Sequence, residues 1–199
     1  MKRKKLTASM IALVMSVSLP MTTYAANWYL EDGSVTVNAD NSGQTVTQGS
    51  NPAVSDEAPV ITQRESSVET GNTIAINASD NATANVTIKD INIKSSKDAI
   101  DVTGSSSANI TLEGDNKIFS ETGSALHVSD GNVTINGSGS LKAEIQDDPS
   151  GYNHNAKIGS HENEDMSGSI HITGDATVKT DDNICLLYTS PSPRDMRRS

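Results

Sequence analysis

Asn85-Val86-Thr87-Ile88, Asn109-Ile110-Thr111-Leu112, Asn132-Val133-Thr134-Ile135 and Ser169-Ile170-His171-Ile172 share one pattern: polar, aliphatic, polar, aliphatic. That alternation marks a strand with one buried face. The first three copies start 24 and 23 residues apart and the fourth follows after 37, so the fourth carries an insertion. A second short apolar segment follows each copy after a polar or glycine turn: Ile91-Asn92-Ile93, Ile118-Phe119, Leu141-Lys142-Ala143 and Ala176-Thr177-Val178. A third precedes each copy: Ile74-Ala75-Ile76, Ile100-Asp101-Val102, Leu126-His127-Val128 and Ala156-Lys157-Ile158.

A unit of three short strands cannot bury its apolar face alone, and it gains a continuous core only by stacking on copies of itself. The pattern therefore predicts an all-β chain, a right-handed parallel β-helix over residues 73–184 with an inserted loop at 146–168. The alternative architecture is an antiparallel β-sandwich, which calls for strands every 8–12 residues. The triplet period, and the lack of a consistent Asn-Gly hairpin signal between neighbouring strands, favour the β-helix. Upstream, Ser34–Val37, Gln44–Thr47 and Pro59–Thr62 read as strands of a capping region over 26–72, joined by polar loops.

Composition agrees with such a core. From Ala26 to Ile184 the aromatic residues are Trp28, Tyr29, Phe119 and Tyr152, so the interior must be Ile, Val, Leu and Ala. Abundant Thr, Asn, Ser, Gly and Asp make long helices implausible. The same span carries eight Lys/Arg against twenty-four Asp/Glu, a net charge of −16. That surface repels nucleic acid and anionic lipid. It contains no cysteine and hence no disulfide framework; Cys185 lies beyond it.

The two ends read differently from the middle. Lys2, Arg3, Lys4 and Lys5 precede an apolar run from Leu6 to Leu19, then Pro20 and Thr23-Tyr24-Ala25. This is the order of a secretory signal peptide over 1–25 with cleavage after Ala25, and it predicts a secreted chain with no membrane insertion after processing. At the other end, Cys185-Leu186-Leu187-Tyr188-Thr189-Ser190-Pro191-Ser192-Pro193-Arg194-Asp195 resembles an in-frame translation of a transposase sequencing adapter. The resemblance implies that 185–199 is non-native and that the natural chain continues past Ile184.

Asn27-Trp28-Tyr29-Leu30-Glu31-Asp32-Gly33-Ser34-Val35-Thr36-Val37, Gln44–Gly49, Ala58–Gln63, Gly151–Ser160 and Gly168–Gly174 together resemble large repetitive surface proteins of Gram-positive gut bacteria, of the carbohydrate-binding-domain or adhesin-like kind. The resemblance covers most of Asn27 to Thr180. It implies a pectate-lyase-like parallel β-helix and a cell-surface, cell-wall-associated location. Relatives usually carry a Gly-Ala-Gly-Ile-Gly-Gly run where Asn155, Lys157 and Ser160 stand here, so this unit departs from the pattern. The motifs specify architecture better than activity.

A search for chemistry yields binding candidates and no catalytic site. Asp90, Asp115, Asp130 and Asp175 sit near turns, where stacking can align carboxylates as calcium ligands, although no calcium-loop motif is present. Tyr152 and His154, in the inserted loop, are the candidates for contact with a sugar or another ligand. His127 and His171 occupy polar strand positions and are expected on the outer face. His161, Glu162, Glu164 and Asp165 share the insertion without a recognisable metal-ligand spacing. A polysaccharide lyase needs a base beside cations that hold a uronate, but Arg64 is the sole arginine of the span and lies in a loop. Asp147-Asp148, before Pro149, is a poor setting for a hydrolase pair. The expected function is a non-catalytic display or binding scaffold for a polysaccharide or a host or microbial surface component. The alternative is a carbohydrate-binding module for acidic polysaccharide, with calcium as a possible aid.

Overall fold

The computed structural model describes residues 25–146 and 155–180. Residues 1–24, on which the expected signal peptide falls, the loop residues Asp147, Asp148, Tyr152 and His154, and the tail from 181 onward lie outside the described residues. Ala25 is the first described residue and is exposed.

The chain opens with β1 (Asn27–Tyr29), one 3-10 turn (Leu30–Asp32), β2 (Val35–Asp40), β3 (Gly43–Gln48), β4 (Val54–Ser55) and β5 (Val60–Thr62). Three-strand passes then repeat. The first is β6 (Ile74–Ala78), β7 (Thr83–Lys89) and β8 (Asn92–Ser95), and the second is β9 (Ile100–Thr103), β10 (Ser107–Glu113) and β11 (Asp115–Ser120). The third is β12 (Leu126–Val128), β13 (Asn132–Gly137) and β14 (Ser140–Ile145), and the fourth is β15 (Ile158–Gly159), β16 (Ser169–Ile172) and β17 (Thr177–Thr180).

The strands of each pass go to three different sheets, always in the same rotation. Sheet A has the order β1-β5-β7-β10-β13-β16, sheet B the order β15-β12-β9-β6-β2-β3-β4, and sheet C the order β17-β14-β11-β8. All pairings within the repeats are parallel. The chain is thus all-β with parallel sheets, and among the described residues no helix is long and apolar enough to cross a membrane.

Period-2 alternation sends one side of the strands of the passes inward, and register stacks like on like. Sheet A aligns Val86, Ile110, Ile135 and Ile172. Sheet B aligns Val35, Ile74, Ile100, Leu126 and Ile158, and sheet C aligns Ile93, Ile118 and Ala143. These residues are buried, Ile172 excepted, which is 36% exposed on the last strand of its sheet. The register corrects the spacing read from the sequence. Asn109 pairs with Asn85 but with Thr134 rather than Asn132, so the third copy slides by two residues. A slide of two keeps every side chain on its face, so alternation alone cannot detect it.

Corners are held by close backbone approach and by inward amides. Gly131 has φ +76°, and a Cβ on Gly168 above it would fall 1.6 Å from the Gly131 carbonyl oxygen, which leaves no room for a side chain. Buried Asn116 accepts from the Ile91 N–H at 3.3 Å and donates to the carbonyls of Glu113 at 3.1 Å and Ser140 at 2.9 Å, tying three successive passes.

The N-terminal end departs from the parallel rule. β2 and β3 form an antiparallel hairpin closed at Asp40–Gly43, and β3 pairs antiparallel with β4. Segment 50–58, read from the sequence as a loop, therefore contains a short strand. The hairpin covers the sheet B edge, and Gln44 finishes the job on sheet A. Its amide donates to the Asn85 carbonyl at 3.0 Å and accepts from the Asn85 N–H at 2.7 Å. An edge strand otherwise presents unpaired backbone groups that invite another chain.

Candidate functional site

The outer face of sheet B carries the densest cluster of titratable side chains described. Register places His127 directly opposite Asp101 on the neighbouring strand. Its Nδ1 lies 2.8 Å from Asp101 Oδ1, and its Nε2 lies 2.8 Å from Glu164 Oε2 in the insertion. His161, also from the insertion, stacks on His127 with ring centroids 4.0 Å apart and an interplanar angle of 8°. His161 Nε2 contacts Asp98 Oδ1 at 2.7 Å, and its backbone N–H donates to Glu164 at 3.2 Å.

His127 does face away from the core, as its strand position predicts, yet it is only 6% exposed because the insertion lies over it. Burial opposes its positive charge. The hydrogen bonds to Asp101 and Glu164, with the negative charge they carry, outweigh that penalty and raise its pKa from 6.5 to about 9. The His127 hydrogen bond in turn holds the Glu164 carboxyl below its usual value, against the opposing effect of burial. At neutral pH the centre is an imidazolium between two carboxylates.

Asp98, His127 and His161 each offer a ligand atom within 4.8 Å of the others, which makes them the metal-capable group among the described residues. Both His127 nitrogens already engage carboxylates, and two face-stacked imidazoles aim their in-plane lone pairs along parallel planes instead of converging on one point. The arrangement acts as a clasp that pins the insertion to the sheet. Asn155 extends it by donating to the Thr122 carbonyl at 2.8 Å, and the Ser167 N–H does so by donating to the Ser129 carbonyl at 3.2 Å.

The four aspartates considered for calcium do not converge. Asp90 and Asp115 occupy the corner between sheets A and C in successive passes, and Asp90 accepts from the Asp115 N–H at 3.2 Å. Asp115 accepts from the Ser140 hydroxyl at 2.8 Å, so serine interrupts the acidic column one pass later. Asp175 lies at the same corner one pass beyond Ser140, and Asp130 is at a different corner, where it accepts from the Ser167 hydroxyl. The carboxylates of Asp90, Asp115 and Asp130 serve as acceptors at the turns. Exposed His171 shares a hydrogen bond with Ser169 at 3.1 Å. Arg64 makes a two-pronged pair with Asp32 at 2.9 and 2.7 Å and stacks over Tyr29 at 4.1 Å, so its charge is already matched.

The clasp was half-visible in the sequence. Aligning Ile100-Asp101-Val102 with Leu126-His127-Val128 places Asp101 beside His127. No spacing rule could supply His161 and Glu164, which arrive through the fold of the insertion. No family model, curated protein or solved structure matches this chain.

Proposed function

We propose that the three sheets are the sides of a right-handed parallel β-helix, and that the chain is a secreted, cell-surface scaffold of the adhesin-like kind that binds through its outer faces and performs no catalysis. The observation that carries this reading is the rotation of every pass through sheets B, A and C with in-register parallel strands. A parallel strand reached again after one full pass requires a crossover, and such crossovers are right-handed in nearly all proteins. A stack of this kind has little internal freedom and presents repeated side chains at fixed spacing, which suits display and multivalent contact.

The chemistry present supports binding over turnover. The groups a lyase or hydrolase would need are engaged in structure: Arg64 with Asp32, and His127 with two carboxylates. The signal-like N-terminal segment and the acidic charge fit an extracellular setting.

The test is a surface-retention assay. Beads carrying the purified chain are offered immobilised polysaccharides, mucin and bacterial cell walls, with Ca²⁺ and with chelator, while the soluble phase is assayed for released sugar ends. Retention on at least one surface without product release is expected. A folded protein that is retained nowhere, or that releases products from any polysaccharide, sinks the reading.

A further inference from the structure

Sheet C presents a second outer face with an ordered set of charges. Its register puts Lys117 opposite Lys142 and Lys142 opposite Lys179, three exposed lysines on consecutive strands. Adjacent strands are about 4.8 Å apart, so the ammonium groups rise from one straight row along the stack. The next row on the same face is Lys94, Phe119 and Glu144. Four of the eight basic residues between Ala26 and Ile184 thus share one face of a span whose net charge is −16.

Like charges directly opposite each other on neighbouring strands destabilise a sheet. Lys142 pairs with Glu144 of its own strand at 2.7 Å, and Lys94 approaches Glu69 at 3.8 Å. Among the described residues no carboxylate forms an ion pair with Lys117 or Lys179. Lys142 thus has its charge matched, and Lys117 and Lys179 on either side of it are the cations that an extended anion laid across the row would meet. The face is also shaped. A groove of about 400 Å³ is lined by Lys117, Lys142 and Lys179 together with Ser66, Ser67 and one carboxylate, Asp115. A second of about 230 Å³ shares Lys117 with it and is lined by Lys94 and half-buried Phe119, with the carboxylates of Glu69 and Glu144 beside them.

We propose that the Lys117–Lys142–Lys179 row binds a linear acidic polysaccharide carrying one acid group per sugar, with its chain running along the stack and a sugar face against Phe119. This rests on the reading of the chain as a binding scaffold and names the face and ligand class. Charge spacing selects the ligand. Duplex DNA carries one charge per about 1.7 Å, and so dense a polyanion is repelled by the acidic remainder of the molecule. A polyuronate spaces its carboxylates by about one sugar ring, on the scale of one strand-to-strand step. Phe119 adds an apolar platform of the sort that sugar rings stack on.

The experiment compares polygalacturonate with the same polymer fully methyl-esterified, at low salt and in EDTA so that calcium bridging through the acidic corners does not contribute. The full chain binds the acid polymer and not the ester, and added NaCl weakens binding. Lys117→Gln/Lys142→Gln weakens it about tenfold or more, because two charge-assisted contacts are lost. Lys89→Gln/Lys97→Gln, which removes the same charge elsewhere, leaves it within about twofold. Circular dichroism confirms that both variants fold, as expected for exposed positions.

Equal binding of the ester, no binding of the acid polymer, equal loss in both double variants, or tighter binding of single-stranded DNA would each overturn the proposal. Retention on some surface by a chain that ignores polygalacturonate removes this inference and leaves the scaffold reading standing. Absence of retention everywhere removes the scaffold reading itself.

Discussion

Two outer faces of one stack treat positive charge in opposite ways. On sheet B, His127 is enclosed by Asp101, Glu164 and the stacked ring of His161, and the insertion shuts it from water. On sheet C, Lys117, Lys142 and Lys179 stand in register in the open. Both faces are built from the same parallel register. A cross-strand row of opposite charges becomes internal structure, whereas in the row of like charges Lys142 turns to Glu144 of its own strand and the two flanking lysines, which form no ion pair among the described residues, are available to a partner. The difference lies in which residues repeat, and not in the backbone that carries them.

The largest effect expected on this comparison comes from opening the clasp. His127→Ala leaves Asp101 and Glu164 without their shared cation. It should destabilise the chain by about 2 kcal/mol, below the range for a fully buried pair because both carboxylates are partly exposed. Hydrogen exchange should show the loss concentrated in 155–168, with β7 and β10 unaffected. Uniform loss across all passes would mean that the clasp is not a local device.

Next in size is the pH dependence of the same contact. The folded His127 pKa, about 9, exceeds the ordinary 6.5, so its contribution is complete below pH 6.5 and is lost as pH rises through 9. Glu164 is shifted the other way, so its contribution is complete above 4.5 and is lost as pH falls through its lowered value. Docking of the insertion should therefore be firmest between these limits and loosen on either side. Imidazole NMR resonances followed from pH 5 to 10 check it directly; a His127 midpoint near or below 6.5 would contradict the ion-pair geometry.

The smallest effect comes from making sheet C resemble sheet B. Lys142→Glu converts the row into alternating charges. It also breaks the Lys142–Glu144 pair, so the two effects offset and stability should change by less than about 1 kcal/mol while polyuronate binding is abolished. Thermal unfolding and the binding assay, run together, show whether binding is lost without a matching loss of stability. A variant that binds as well as the parent would show that the row is incidental.

The sequence-to-structure gap has the same physical origin on both faces. The inner columns could be anticipated because aliphatic alternation declares which side of a strand is buried. The lysine row could not, because the second strands, matched on their first aliphatic residue, align Ile118 with Leu141. The structure pairs Ile118 with Ala143 and Asn116 with Leu141, again a slide of two. Only the true register brings Lys117 and Lys142 side by side. The hairpin at the N-terminal end was similarly hidden. Its strands were legible at 34–37 and 44–47, but alternation says nothing of whether neighbours run parallel or antiparallel. Tyr152 and His154, the ligand candidates of the insertion, lie outside the described residues, while its His161 and Glu164 join the clasp.

By itself, then, the sequence determined the β class, the triplet repeat, the aliphatic core and the acidic charge, because burial and alternation are properties of a residue and its near neighbours. The tertiary structure decided which copies stand beside which, where the insertion lies, and hence the histidine clasp and the lysine row. Those depend on register between strands some 24 to 37 residues apart, and a period of two leaves that register open to slides of two.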